Sequence, residues 1–534
     1  MAFVGELRPF QAKARDQLLE WGRGLLAVTM GGGKTPITIA IIEELLDREE
    51  VEAGLIITPA SLKHQWNGSR GFPLFAPDAN VVVIDGDADQ RREQYAKAMH
   101  WAEYIVLGYS QVIDDWKYVK KLPIDFVVMD EVQAIKNPGS ARSQKMEKLL
   151  YRARKRGSMI LGLTGQPLEN KPEDVFHVCA GIDPEVLGHP QIFDMTFIVR
   201  NKYGKPVRYP NLDLLHRTLQ EKLMVRVDRG EIEEYLPERS REQYLVPFDK
   251  TTFELYRVVV GDLLDALDEQ KVSGNFDIAA HYSGAGLSKA EAAQRGRIMS
   301  RLTCARMLCD HPMLLRMSAD LYAASARGEM GALKAGSAYA HELLERGMLD
   351  ALPKGRGPKL STVVADVKRI LAEDPEHKVV IFSTFKPTLT WLADALKKTT
   401  TSVLYHGGVT TKRREAIREQ FNNDPATRVF LSSDAGGAGV DLPAGSHLIN
   451  YDLPFSAGQL EQRNARIDRM SSQHANTLVV DYLMEGSVEE FYADIIDARQ
   501  ATARAAVDGK GKRSVVLPTT SLRGFLRDWY DSLD

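Results

Sequence analysis

The residues Val28 to Thr35, VTMGGGKT, most constrain what this chain can fold into. Gly31, Gly32 and Gly33 leave backbone N–H groups uncovered just where a helix would begin, and Lys34 and Thr35 add an ammonium and a hydroxyl. That is the outline of a polyphosphate cradle. The strict phosphate-loop pattern has a glycine where this chain has Val28. The flanks supply the context the loop requires. Leu25 to Val28 reads as a buried strand, and Pro36 falls in a first helical turn, where its missing N–H costs nothing. Ile37, Ile41 and Leu45 then form an apolar helical face.

Further apolar runs follow: Gly54 to Thr58, Val81 to Ile84, Tyr104 to Gly108, Phe126 to Met129 and Met159 to Thr164. They are continuous rather than alternating, and helical stretches such as Ala88 to Ala98 separate several of them, which predicts a parallel sheet covered on both faces. Ligands gather at the carboxyl ends of such strands. Asp130-Glu131 ends one of them, and two carboxylates there are costly unless a cation or water network uses them. In a phosphate-loop ATPase the first holds Mg²⁺ together with the loop threonine, and the second orients or deprotonates the attacking water. The first segment, LRPFQAKARDQLLEW, has Leu7, Phe10, Ala14, Leu18 and Trp21 at helical spacing. Gln11 within it carries a donor and an acceptor that match the edge of adenine, although a surface Gln has the same chemistry.

GGGKT, DEVQAIKNP and LTGQPLEN resemble motifs I, II and III of the superfamily 2 helicase-like ATPases, and the Lys-Asn-Pro after the acidic pair is similar to the Swi/Snf-type branch. LIITPASLKHQW resembles that family's motif Ia. Gln133 stands where many members have His, and Gln166 where motif III usually has Thr.

From about Pro184 to Gly357 the strand pattern stops. LMVRVDRGEIEEYLPE resembles the family's basic segment ahead of its helical protrusions, and RLTCARMLCDHPMLL its helix ending in a His-Pro turn. Phe253, Tyr256, Val260, Leu263 and Leu267 repeat at helical spacing, and SGNFDIAAHYSGAGLS reads as a flexible connection. His281 and His311 lack metal-ligand spacing. After the Pro/Gly/Lys-rich PKGRGPKL, strands recur at Lys378 to Phe382, Ser402 to Tyr405, Arg428 to Leu431, His447 to Asn450 and Thr477 to Val480. In EQRNARIDRMSSQ the spacing puts Gln462, Arg466 and Arg469 on one helix face. The stretch resembles motif VI, whose two arginines reach the γ-phosphate; Met470-Ser471-Ser472 interrupts the glycine that commonly follows. SVEEFYADIIDARQ begins with a Ser487/Glu490 capping box. DGKGKRS and RARKR read as solvated basic runs rather than DNA clamps.

The expected architecture is α/β: two RecA-like lobes with a helical insertion between them. Lobe 1 spans residues 1–185, the insertion 186–356, lobe 2 residues 357–498, and a tail docking on the lobes 499–534. The resemblance implies an ATP-dependent translocase on double-stranded DNA, reading the track without regard to sequence. ATP would meet Arg8, Gln11, Met30, Gly31, Gly32, Gly33, Lys34, Thr35, Gly437 and Asp441. Mg²⁺ would meet Thr35 and Asp130. Catalysis would fall to Lys34, Asp130, Glu131, Gln462, Arg466 and Arg469, and DNA contact to Thr58, Lys63, Tyr109, Lys386, Ser432 and Ser433. An RNA or single-strand helicase is the alternative on the same lobes, and a nucleotide-gated DNA-binding scaffold is the alternative outside enzymes.

Composition sets the remaining bounds. A net charge of -3 leaves nucleic-acid contact to local basic groups and helix ends. Cys179, Cys304 and Cys309 form no paired framework or zinc pattern. No run approaches membrane-spanning length. A cytoplasmic monomer without membrane contact is expected, in the compact form of a bacterial or phage enzyme, with the helical insertion as the surface for a protein partner.

Overall fold

The expected apolar runs fold as strands of two parallel sheets in the computed structural model, which describes residues 3–202, 204, 206–269, 289–327, 336–353, 355–434, 440–516 and 522–532. In the first sheet β1 (Arg23–Val28), β2 (Gly54–Thr58), β3 (Val81–Val83), β4 (Tyr104–Gly108), β5 (Phe126–Asp130) and β6 (Met159–Leu163) match the expected runs to within a residue or two. A small antiparallel pair, β7 (Val199–Arg200) and β8 (Pro206–Tyr209), precedes β9 (Met224–Val227), and β9 completes the sheet. Its order is β3-β4-β2-β5-β6-β1-β9, all parallel, with β5 at the centre. Central strands buried on both faces are why their sequences run apolar without alternation.

The second sheet contains β10 (Glu238–Val246), β11 (Val379–Phe382), β12 (Thr401–Tyr405), β13 (Thr427–Ser432), β14 (His447–Asn450) and β15 (Asn476–Met484). The order is β10-β15-β14-β11-β13-β12, again all parallel. A final strand, β16 (Val515–Val516), pairs with β8.

Two compact units result: residues 1–235 with 499–517, and residues 236–498 with 518–534. These bounds correct the expected ones. Residues 186–235 belong with the first unit because β9 is a strand of its sheet and Leu212, Leu215, Leu219 and Leu223 lie in its core. Residues 236–356 belong with the second unit because β10 joins its sheet, and the helices Lys250–Asp268, Lys289–Asp310 and Pro312–Ala326 share one core with β11 and β13 through Val259, Leu263, Ile298, Leu308 and Leu315. The expected insertion is therefore not purely helical. β10 escaped sequence recognition because it is an edge strand, exposed along most of its length, and ERSREQYLV carries the charges that solvent permits there. PKGRGPKL opens the helix Pro358–Glu373, and its Lys359 is fully enclosed, bonded to both Glu489 carboxylate oxygens at 2.8 Å. The tail is shared: residues 499–516 pack with the first unit and 522–532 with the second.

The N-terminal segment forms the expected helix, Pro9–Trp21. His311 caps the helix Pro312–Ala326 by accepting from the Met313 N–H. The capping box at Ser487 is displaced by one residue. The Ser487 hydroxyl accepts from the Glu489 N–H and the Glu490 carboxylate from the Gly486 N–H, because Glu489 turns inward to Lys359. SGNFDIAAHYSGAGLS, with His281, lies outside the described residues. All three cysteines are buried thiols. Among the described residues no helix is long and apolar enough to cross a membrane.

Candidate nucleotide site

In the first unit the loop leaves β1 and turns through Gly31 (φ 81°) and Gly33 (φ 85°) into the helix Lys34–Asp47. Both angles lie in the region that glycine enters without strain. The loop is also too close-packed for side chains. A Cβ on Gly32 would stand 2.5 Å from Val28 Cγ1, and one on Gly33 would stand 2.2 Å from Gln11 Nε2. Val28, which departs from the strict pattern, is thus a packing partner of the glycine run.

Gln11 braces this loop. Its Nε2 donates to Gly32 O at 3.1 Å, and its Oε1 accepts from the Arg8 N–H at 2.9 Å. A primary amide has two N–H groups and two lone pairs, so each end retains capacity for adenine. The Arg8 guanidinium lies 4.1 Å above the Tyr235 ring. Lys34 donates to Val28 O at 3.1 Å, and Thr35 occupies the first turn of the helix. Met30 is buried against Gly165, where a Cβ would meet Met30 Cγ at 2.6 Å and Lys34 Nζ at 3.5 Å. The loop after β6 is thereby seated against the phosphate loop.

Asp130 and Glu131 follow β5. Asp130 Oδ2 accepts from Thr58 Oγ1 and Trp66 Nε1, both at 3.1 Å, and Oδ1 accepts from the Glu131 N–H at 3.0 Å. Burial raises the Asp130 carboxyl and the neighbouring Glu131 charge raises it further. The Trp66 N–H, the Lys34 ammonium and the Thr58 hydroxyl offset this only in part, leaving it at about 6. Glu131 has φ 49° and ψ 56°, an uncommon conformation for a side chain of this size and one that concentrates at functional sites. Gln133 Nε2 holds Glu131 Oε2 at 2.5 Å. Two crowded carboxylates, one held above the ordinary range, are a hard-oxygen donor set whose repulsion a divalent cation relieves. Asp130 and the Thr35 hydroxyl are the residues that could hold it.

Three expected DNA contacts serve other purposes. Thr58 is buried and bonds Asp130, and the buried Tyr109 hydroxyl donates to Asp130 O at 2.9 Å. Lys63 is buried with its ammonium on Ile84 O (2.8 Å) and Asp85 Oδ1 (2.9 Å). A motif position says where a residue falls along a strand or loop, not whether it faces inward, and these three face inward. In the second unit Ser432 and Ser433 are likewise buried, with Ser432 Oγ donating to Ser433 O at 3.2 Å. Lys386 alone among the six is exposed, at the start of the helix Lys386–Leu396.

The arginine-bearing stretch of the second unit departs from the expected single helix face. The helix Ala457–Asn464 carries Gln462 and stops; Arg466 and Arg469 lie in the turn beyond. The Arg466 carbonyl accepts from the Leu442 N–H at 3.0 Å, so the backbone is diverted from helical bonding, and the Asn464 side chain is held by Asn450 Nδ2 at 3.1 Å. Arg466 NH1 reaches Val440 O at 3.4 Å, and Arg469 pairs with Asp441 at 3.0 Å while its buried Nε finds no acceptor among the described residues. Such a donor suits an anionic ligand. Gly437 lies outside the described residues. Sequence reasoning missed Arg463, which is buried between Asp434 and Asp452; these carboxylates hold its guanidinium firmly charged against the cost of burial.

The family model described as "SNF2-related domain" matches residues 16–314, and "Helicase conserved C-terminal domain" matches 362–471. The "Putative ATP-dependent helicase/translocase YwqA" of Bacillus subtilis is 24% identical over 93% of this chain and 48% of its own length. The mouse "DNA repair and recombination protein RAD54B" is 24% identical over 95% of this chain and 57% of its own. The chain spans about half the length of these curated relatives. A solved structure titled "Sulfolobus solfataricus SWI2/SNF2 ATPase core in complex with dsDNA" matches 95% of this chain and 98% of that chain, at 20% identity and a TM-score of 0.39.

Proposed function

The chain belongs to the SNF2-related, Swi/Snf-type family of helicase-like proteins, and we propose that it is an ATP-driven translocase that moves along double-stranded DNA and displaces or remodels complexes bound to it. The observation that carries this reading is the gathering of the glycine loop, Lys34, Asp130 and Glu131 at the carboxyl edge of one parallel sheet.

On this reading Lys34 turns from Val28 O to the β- and γ-phosphates of ATP, and the N–H groups of Gly31 to Lys34 line the phosphates. Gln11 and Arg8 face the base side. Thr35 and Asp130 would hold Mg²⁺, which would supply charge neutralisation to the phosphates. Glu131, fixed by Gln133, orients the attacking water and takes its proton. Arg466 and Arg469 would stabilise charge on the γ-phosphate as it transfers, with Gln462 assisting. Cycles of ATP binding and hydrolysis would drive the stepwise motion along the track. Contact is with phosphate and sugar, so the motion is indifferent to sequence. The relatives named for helicase, translocase and DNA repair activities support the DNA assignment.

The test is ATP turnover by purified protein, alone and with duplex DNA, single-stranded DNA or RNA at one fixed salt concentration. Stimulation by duplex, lost in Lys34→Ala and Glu131→Gln, is the expected result. Unchanged turnover in both variants would sink the ATPase reading. Stimulation by single strands or RNA alone would replace it with a helicase, and tight ATP-dependent DNA binding without turnover with a scaffold.

A further inference from the structure

Arg226, the third residue of β9, ties together three parts of the first unit that are far apart in sequence. Its NH1 donates to Ala27 O at 2.9 Å and to Gly165 O at 3.3 Å, and its Nε donates to Asp508 Oδ1 at 2.7 Å. Ala27 is the residue before Val28, whose carbonyl receives the Lys34 ammonium. Gly165 is the residue that packs on Met30 and Lys34. One guanidinium therefore spans the strand leading into the phosphate loop and the loop that seats against it. Its counter-charge comes from a segment that follows residues 236–498 of the second unit in sequence.

That segment is firmly docked. Ala505, Ala506 and Val507 are buried in the core of the first unit, and His216 Nδ1 bonds Val507 O at 2.9 Å. Lys510 pairs with Asp228 at 2.6 Å, the Leu212 N–H donates to Arg513 O at 3.0 Å, and β16 pairs with β8. DGKGKRS is thus docked at its start, with Asp508 on Arg226 and Lys510 on Asp228, while Lys512 and Arg513 stay exposed. The Arg226 and Asp508 side chains are only 11% and 16% exposed. Removing the carboxylate would leave a largely desolvated cation on two carbonyls, and such a group moves toward solvent when it can. The Gly165 and Ala27 carbonyls would then lose their common tether.

We propose that residues 499–516 act as a clamp on the nucleotide site, with Asp508 a positioning residue that acts through Arg226 to hold the β1 end and the Gly165 loop in their nucleotide-binding arrangement. The clamp rests on the ATP reading above. Because the tether organises the cradle and touches no reacting group, its loss weakens nucleotide binding more than it slows the chemistry.

The test compares the affinity of the full chain for a fluorescent ATP analogue, with steady-state ATP kinetics, in wild type, Asp508→Asn, Arg226→Lys and Lys510→Ala. Asp508→Asn keeps the shape and loses the charge; Arg226→Lys keeps the charge and loses the planar fork that reaches three acceptors. Both are expected to raise the analogue Kd and the KM for ATP by about fivefold or more, the range of an ordinary coupling between sites, with kcat changed by less than about twofold. Lys510→Ala removes a neighbouring docking contact, the pair with the largely buried Asp228, and is expected to raise both constants in the same direction by a smaller factor. Unchanged affinity in Asp508→Asn, or a fall in kcat with KM untouched, overturns the clamp while the ATP reading stands. Failure of wild type itself to bind the analogue overturns the ATP reading and the clamp with it. Should Asp508→Asn not fold, Asp508→Glu carries the test: a displaced carboxylate must shift the Kd in the same direction by a smaller factor, and an unshifted Kd overturns the proposal.

Discussion

Arg463 grips Asp434 with two parallel bonds, Nε to Oδ1 at 2.6 Å and NH2 to Oδ2 at 2.8 Å, while its NH1 donates to Asp452 O at 2.5 Å. Asp452 is itself held by Ser383 Oγ and by the Thr384 N–H and hydroxyl. Burial alone would raise the Asp452 carboxyl, but the Arg463 and Arg306 charges and these donors hold it below the usual carboxylate range. The arginine thus anchors the helix end from which Arg466 and Arg469 depart. Truncating one member of such a buried pair strands the other charge, so Arg463→Ala is expected to cost about 3–5 kcal/mol in urea unfolding. Arg463→Lys should recover only part of it, because an ammonium cannot reproduce two parallel bonds. A loss below about 1 kcal/mol for the alanine variant would contradict this account.

Lys63 and Lys386 should separate cleanly in a DNA-binding experiment. An exposed lysine that neutralises a phosphate contributes one released counterion, so Lys386→Ala should lower the slope of log affinity against log salt by about 1. Lys63 is already committed to Asp85, and the Lys63 ammonium with the His64 ring and the Gly86 N–H holds that carboxyl down at about 2 against the opposing effect of burial. Lys63→Met should leave the salt slope unchanged and lower the melting temperature. A changed slope for Lys63→Met, or an unchanged one for Lys386→Ala, would reverse these assignments.

What could be read in advance follows from how local each signal is. The loop at Gly31 to Thr35 and the carboxylates at Asp130 and Glu131 are short runs whose chemistry is set by neighbours in sequence, and strand ends in a parallel sheet converge by geometry. Burial direction is not local. Thr58, Lys63 and Tyr109 sit at positions that resemble nucleic-acid contacts, yet each turns inward to Asp130 or Asp85. Arg463 falls off the face that helical spacing gives to Gln462, Arg466 and Arg469, and that spacing fails past Asn464, where the Arg466 carbonyl leaves the helix for Leu442. Arg226 and Asp508 are separated by 282 residues, and neither flanking sequence contains any trace of the other.

Gln133 is expected to act on turnover through Glu131. The 2.5 Å bond fixes a carboxylate whose backbone is already in an uncommon conformation, and the Gln133 Oε1 is buried without a partner among the described residues. Without the amide, Glu131 gains rotamers that do not face the water it orients. Gln133→Ala should lower kcat about tenfold and leave KM for ATP nearly unchanged, as for an interaction that matters in the transition state. A shift in KM with kcat intact would place Gln133 in nucleotide binding instead.

His311 makes stability depend on pH in a direction that can be worked out beforehand. Its ring is buried 4.4 Å from that of Trp391, and burial depresses its pKa from 6.5 to about 4, with a backbone contact at Gly355 opposing the shift. Between these values the unfolded chain binds a proton at this site and the folded chain does not. Stability is therefore fully present above about 6.5 and is lost as pH falls toward about 4, with a limiting slope of about 1.4 kcal/mol per pH unit from this one group. His447, depressed to about 4 by burial and by the nearby His377, adds in the same direction. His311→Asn keeps a side-chain acceptor for the Met313 N–H at the helix start and removes the titration. The variant should be less stable at pH 7, where the ring's packing on Trp391 is lost, yet its unfolding midpoint should fall less steeply between pH 6.5 and 4. Parallel pH profiles for the two proteins would mean that His311 takes up its proton without unfolding the helix it caps.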